Sequence, residues 1–452
     1  ALLNACLDRV TEVTDELKRL MDEFQKELAV LKGRVDGLEA RVGELEANQF
    51  STTTKLSGQT TFVLGANNYT GTGRVSDRNR RFRNGEFGIR TQERNGNGAL
   101  ASEINATQGG TVFNYDLRLT LDTSFTGKDL LRTRLRSGNF GKSPYGGGGI
   151  VGLDGMEVAF QDPAGANVVS VNRLYYQFPI GESFTATVGA RVRQDDMLAV
   201  WPSAYPADTI LDVFTYAGAP GTYSLNLGGG AGLWWKAGGF SVSANYVSSN
   251  AGVGNPNEGG FMTSGAGATG TVQLAYGVDT WGVAAAYTYT SENNGGIYGG
   301  NATPLAVDAM LRGNTNSFGL SGWWGPKTTG WVPSISAGWG INTTDSTNRY
   351  GDVTSQSWYV GLQWADMFMK GNALGMAFGQ PTFITDASRD KNNRVFSTDG
   401  NFAWEWWYKF QVTDNISVTP AIYYLSRPLG GLTGNNATLN NFGGLIKTTF
   451  KF

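Results

Sequence analysis

At residue 50 the hydrophobic period of this chain changes, and that change divides it in two. Before it, apolar side chains recur at Val10, Val13, Leu17, Leu20, Phe24, Leu28, Leu31, Val35, Leu38, Val42 and Leu45. The spacings are threes and fours, a heptad seam with one stutter between Phe24 and Leu28. The spacing predicts a helix over 7–49, with Glu, Asp, Lys and Arg on its flanks. Gly33, Gly37 and Gly43 each cost about 1 kcal/mol of helix propensity, but all three fall off the seam. So narrow a stripe suits a coiled coil; the alternative is a single amphipathic helix lying on the second domain. After Phe50 the period is two to the end of the chain, which predicts two domains, 1–50 and 51–452.

The alternation is clearest at 113–122, where Phe113, Tyr115, Leu117, Leu119 and Leu121 interleave with Asn114, Asp116, Arg118, Thr120 and Asp122. One face of such a strand suits lipid and the other water. Strands are predicted near 54–64, 112–125, 130–140, 168–179, 183–193, 224–237, 239–249, 269–277, 281–290, 315–324, 331–341, 354–365, 373–380, 401–411, 416–425 and 441–452. Most have about ten residues, the length a tilted strand needs to cross a bilayer. Connections are expected to alternate strictly between short (126–129, 180–182, 412–415) and long (65–111, 141–167, 194–223). A soluble sandwich would alternate too, but lacks this length and punctuation. The fold class expected is therefore an all-β membrane protein: a 16-stranded antiparallel transmembrane β-barrel with an N-terminal α-helical coiled coil. An even strand count puts both ends of the barrel on the short-turn side, where the helix would extend about 60 Å.

Composition narrows the function. No run of about 20 apolar residues exists to build a bundle of membrane-spanning helices, and a net charge of −2 gives no general pull toward nucleic acid. With one cysteine, Cys6, and no histidine, the chain can form no intrachain disulfide and lacks the usual base of Ser-His and Cys-His hydrolases. No enzyme activity, cofactor or metal is expected. The sequence opens at Ala1 inside a helical pattern, so an export signal is expected to have been removed. The row Ile446, Thr448, Phe450, Phe452 reads as a native C-terminal strand of an outer-membrane protein.

Three stretches carry a resemblance: Ala5-Cys6-Leu7-Asp8-Arg9-Val10 leading into the heptads, Leu131 to Phe140 (LRTRLRSGNF), and Asn172 to Pro179 (NRLYYQFP). They resemble cyanobacterial major outer-membrane porins, relatives of carbohydrate-selective OprB-type porins. The resemblance implies a homotrimer in the cell outer membrane, in contact with lipid and lipopolysaccharide, with its stalk in the periplasm. In that family a surface-layer-homology domain precedes the coil and binds a peptidoglycan-linked polymer, so the resemblance implies that such a domain is missing ahead of Ala1 from a longer protein. The function implied is passive diffusion of small hydrophilic solutes and inorganic ions. The alternatives are a carbohydrate-selective pore or a structural anchor between outer membrane and peptidoglycan.

Sixteen strands leave a wide channel, so selectivity depends on what narrows it. The third long connection, 194–223, is the candidate: it holds Asp195, Asp196, Asp208 and Asp212, no Lys or Arg, and Trp201, Pro202, Tyr205 and Pro206 to stiffen it. Inward rows on the preceding strands carry Arg118, Arg132, Arg134, Arg136, Arg173, Arg191 and Arg193. Facing the acidic loop, these groups would set a transverse field at the constriction, weakly favouring anions. Alternatively, the arginines clamp the loop through ion pairs that are individually weak. A further cluster in the first loop, Arg74 to Arg94, reads as a solvated or inter-subunit loop before it reads as a lipopolysaccharide site. The topology predicts that an impermeant label applied to whole cells reaches Asn294 or Asn392 and never Thr413. Labelling at Thr413 would contradict the strand count.

Overall fold

The computed structural model describes residues 2–48, 53–75, 98–147, 149–206, 209–292, 297, 300–346, 350–388 and 399–452, with side chains in the N-terminal helix described at 14 and 16–39. Asp208, Arg78 to Arg94, Asn294 and Asn392 lie outside the described residues. The chain divides into two compact units, 1–55 and 56–452. The first holds one helix, α1 (Leu2–Asn48). Its seam side chains Leu17, Leu20, Phe24, Leu28, Leu31, Val35 and Leu38 are all exposed, as expected of a stripe with no partner helix in the same chain.

The second unit is a closed antiparallel barrel. Its strands are β1 (Thr54–Thr70), β2 (Val112–Thr123), β3 (Leu130–Gly138), β4 (Ser170–Ile180), β5 (Phe184–Arg193), β6 (Leu227–Ala237), β7 (Phe240–Ser248) and β8 (Ala268–Val278). They continue with β9 (Trp281–Thr290), β10 (Asn314–Trp324), β11 (Ser334–Ser346), β12 (Gly351–Ala365), β13 (Ala373–Ala387), β14 (Phe402–Thr413), β15 (Ile416–Ser426) and β16 (Asn440–Lys451). Consecutive strands pair, and β16 returns to β1 in register from Gln59↔Lys451 to Thr70↔Asn440. Reciprocal backbone bonds between Gly58 and Phe452, 2.6 and 3.0 Å, end that seam. Closure matters because hydrocarbon offers no partner to an unpaired strand edge.

Each expected strand is present, and the alternation has the expected cause. On β8, Val272 and Leu274 are exposed on the outer face while Thr271, Gln273 and Ala275 are buried inside. β1, β11, β12 and β13 run past their expected ends, to Thr70, Ser346, back to Gly351 and to Ala387. The β11 extension is polar on both faces, so it reads as loop; pairing such as Thr343↔Thr354 and the Asn342–Ser355 side-chain bond (3.1 Å) keeps it in the ladder. Strict alternation of connections therefore fails at one place. Residues 347–350 join β11 to β12, whereas the opposite-side connection between β10 and β11 spans 325–333.

The connection between β3 and β4 folds into the barrel mouth. Tyr145 donates to the Gly444 carbonyl (3.4 Å), and Asp154 accepts from the Tyr69 hydroxyl (2.7 Å) and the Asn67 amide (3.1 Å) of β1. Burial pushes the Asp154 carboxyl up to about 8. Between the ordinary carboxylate value of about 3.9 and that value, the folded protein keeps a proton that the unfolded chain releases. The packing is therefore most stable below the ordinary value and weakens as pH rises, the loss being complete above the raised value. Limited proteolysis should cut 139–169 faster above that pH than well below it in the wild type, while Asp154→Asn shows no such dependence. Equal pH dependence in both proteins would remove Asp154 as the cause.

Candidate functional site

Inward rows from β7 to β12 are built from Gly, Ala, Ser, Thr and Asn, and nearly all are buried. What buries them is the connection between β5 and β6, which over 194–206 and 209–226 lies along the inner wall. Its outgoing arm bonds Ala199 N to Ser243 Oγ (3.0 Å), the Val200 carbonyl to Gln273 Nε2 (2.8 Å) and Ala204 N to Ser336 Oγ (2.8 Å). The returning arm is held through its carbonyls: Ala217 accepts from Ser321 (2.7 Å), Gly218 from Ser357 (2.9 Å) and Thr222 from Thr288 (2.7 Å). Gly338 is glycine because a Cβ there would collide with the Ala217 carbonyl, and Gly361 because one would strike the Tyr205 ring. Hydroxyl rows that read as a water-facing lining are thus, over this sector, the bed of a loop.

At its tip the loop meets a buried carboxylate. Glu405 of β14, fully enclosed, accepts from the Tyr205 hydroxyl (2.8 Å) and from Leu211 N (2.7 Å). Trp407 Nε1 donates to the Tyr205 hydroxyl (2.9 Å), and Lys447 of β16 donates to the Thr209 carbonyl (3.1 Å). Tyr205 is therefore committed to packing the loop against the wall. Trp201 stays half-buried, edge-on to Tyr223 at 5.2 Å. A cavity of about 380 Å³ lies beneath the tip, lined by Pro206 and Ile210 of the loop and by Trp407, Lys409, Lys447 and Lys451 of the wall. Glu405 and Lys447 did not stand out in the sequence as site residues. The signal available was a lone carboxylate, Glu405, among the lysines Lys409, Lys447 and Lys451 at inward positions of the last strands.

The inner faces of β2 to β4 carry no such hydroxyl bed. Arg118 pairs directly across from Arg136, Thr120 from Arg134 and Asp122 from Arg132, while Arg134 is also opposite Arg173 on β4. Opposite residues share a face, so these five arginines form one inward wall. Most are neutralised in place. Asp116 binds both Arg118 and Arg136 at 2.7 Å, Asp122 binds Arg132 at 2.7 Å, and Asp196 binds Arg173 at 2.6 Å. Arg193, ending β5, pairs with Asp195 at 2.5 Å. The loop aspartates thus sit beside the arginines at its root. They do not confront them from across the barrel, because the chain leaves β5 through a tight turn, Gln194–Met197, that holds both carboxylates next to it.

Two expected site residues fall elsewhere. Arg191 pairs across from the exposed, outward-facing Leu174 and is itself exposed. A bulge between Gly189 and Arg191 shifts the alternation by one residue there. Asp212 is buried inside the loop, its carboxyl raised well above the ordinary range by burial and by the nearby Glu157. Arg134 alone of the inward five has no carboxylate at ion-pair distance among the described residues. Its Nε donates to Thr120 Oγ1 at 3.1 Å.

Comparison with known proteins agrees with this architecture. Residues 12–452 match the model of the carbohydrate-selective porin, OprB family. An uncharacterized protein of Nostoc sp. strain PCC 7120 is 31% identical over 496 aligned positions, covering 100% of this chain and 76% of that protein. An uncharacterized protein of Synechocystis sp. strain PCC 6803 is 30% identical, covering 100% and 80%. Among solved structures, OprB of Pseudomonas putida superposes with a TM-score of 0.54 at 11% identity, covering 88% of this chain and 94% of that one. At that identity the likeness is one of fold, and it is the family match over nearly the whole length that assigns this chain: it belongs to the OprB family of carbohydrate-selective porins.

Proposed function

We propose that this barrel is an outer-membrane porin for passive diffusion of small hydrophilic solutes and inorganic ions, narrowed by residues 194–226. Porins are channels, and the protein is not an enzyme. The observation that carries the reading is the division of the inner wall. One sector is covered by the loop, and in the other, β2 to β4, Arg118, Arg132, Arg134 and Arg136 stay only half-buried. Solute would pass between loop and arginine wall, where low dielectric makes each charge felt. The constriction would then be formed by Arg118, Arg132, Arg134, Arg136, Arg173 and Arg193 with Asp195 and Asp196. Carbohydrate selectivity is the second reading, favoured by the family and by Trp201, a half-buried indole on the loop. The exposed seam of α1 supports a coiled coil formed with other copies, which fits a homotrimer with a periplasmic stalk reaching toward peptidoglycan.

The purified protein should give discrete conductance steps in planar bilayers; a silent barrel would leave the anchor role as the better account. Glu405→Ala removes the acceptor for two loop groups, and each hydrogen bond to a charged group contributes about 1.5–3 kcal/mol. With the tip released, the step size should become larger or flicker between levels, while the protein stays inserted. Steps identical to wild type would place the narrowing away from this loop.

A further inference from the structure

The arginine wall is tiered. Register sets Arg118 and Arg136 in one tier, Thr120, Arg134 and Arg173 in the next, and Asp122, Arg132 and Tyr175 in the third. Two residues along a strand separate successive tiers by about 7 Å. In the first, Asp116 bridges both guanidiniums, and Arg136 is further capped by the Val158 carbonyl (3.3 Å) and the Phe160 ring (4.7 Å). In the third, Asp122 takes Arg132 in a two-point bond, 2.8 and 2.7 Å, and Arg132 also reaches the Tyr175 hydroxyl at 3.4 Å. The middle tier differs. Arg173 has Asp196, but the Arg134 fork bonds only through Nε to Thr120, leaving both terminal nitrogens without a protein partner among the described residues.

That arrangement costs free energy as it stands. Two arginines directly opposite on paired strands repel, and Arg134 is half-buried, where solvent screens poorly. Its two free N–H-bearing nitrogens form a planar fork, matched in geometry to two oxygens of a carboxylate or phosphate. We infer that the Arg134 tier is an oxyanion-binding station: a phosphate or carboxylate group of a permeating solute docks on the Arg134 fork, beside the Thr120 hydroxyl and between tiers whose arginines hold carboxylates. Chloride, a single round ion, cannot use the fork in this way. The station rests on the channel reading, and it makes the pore saturable for oxyanions where it is merely conductive for chloride. A phosphate on a sugar and free inorganic phosphate present the same group.

The test uses the full chain in planar bilayers carrying potassium chloride, titrated with inorganic phosphate, with glucose 6-phosphate and with glucose. Both phosphates are expected to lower the chloride current with saturation and glucose not to; block by free phosphate alone would limit the station to the inorganic ion. Arg134→Gln should raise the half-blocking concentration at least tenfold while conductance steps persist. Arg134→Lys keeps the charge without the fork, so its block should be weaker than that of wild type. Block unchanged in Arg134→Gln, or equal in Arg134→Lys and wild type, would overturn the station while leaving the porin reading intact. Binding is also read without conduction, as broadening of the phosphate ³¹P resonance by detergent-solubilised protein. Broadening lost in Arg134→Gln supports the station even if no steps appear, a result that would sink the porin reading alone; broadening kept in that variant overturns it.

Discussion

A sheet in a bilayer must leave no strand edge unpaired, and the rest of this molecule is shaped by meeting that condition with sixteen strands. Closure from β16 to β1 fixes the register of the whole wall, and register decides which side chains share the interior. Sixteen strands enclose more space than their own side chains fill. The chain answers by folding two of its connections inward, and the sequence of the wall is written around them. Where the loop lies, inward positions are mostly small or neutral polar residues; on β2 to β4 they are rich in Arg and Asp.

This division explains why parts of the protein are readable in the sequence and others are not. Period-two alternation marks every strand because lipid selects one face regardless of what occupies the other. The extension of β11, polar on both faces, loses that contrast and reads as loop. Rows such as Ser241, Ser243 and Asn245 or Thr269, Thr271 and Gln273 look the same whether they face water or a folded loop, so sequence alone could not show the bed of the third connection. Arg191 leaves its expected row for a local reason, since one bulged residue before it turns it to the outer face. The four loop aspartates are legible as a group but not as individuals. Asp195 and Asp196 are spent on Arg193 and Arg173, Asp212 is buried, and Asp208 lies outside the described residues.

Charge on the arginine wall is accordingly less than a count of guanidiniums suggests. Neutralisation happens within the wall, on β2 and at the loop root; Asp116 shares one charge between Arg118 and Arg136, and Arg134 is left with no carboxylate at ion-pair distance among the described residues. On the opposite side, Glu405 is held in a closed site by Tyr205, Leu211 and the neighbouring Lys447. One carboxylate anchors the loop tip, and a set of ion pairs anchors its root; the span between is laid on hydroxyls. A loop tied at both ends and along its length can define a fixed bore.

The central claim is that solute passes along the arginine wall while the opposite sector is sealed by the loop. Substituted-cysteine accessibility tests this directly, in a Cys6→Ser background to which Arg134→Cys or Ser357→Cys is added. A charged methanethiosulfonate reagent entering the pore should modify Arg134→Cys and reduce its current. It should leave Ser357→Cys untouched, because the Gly218 segment covers that position at 2.9 Å. Rapid modification at Ser357→Cys with protection at Arg134→Cys would place the passage on the other side of the loop and contradict the account.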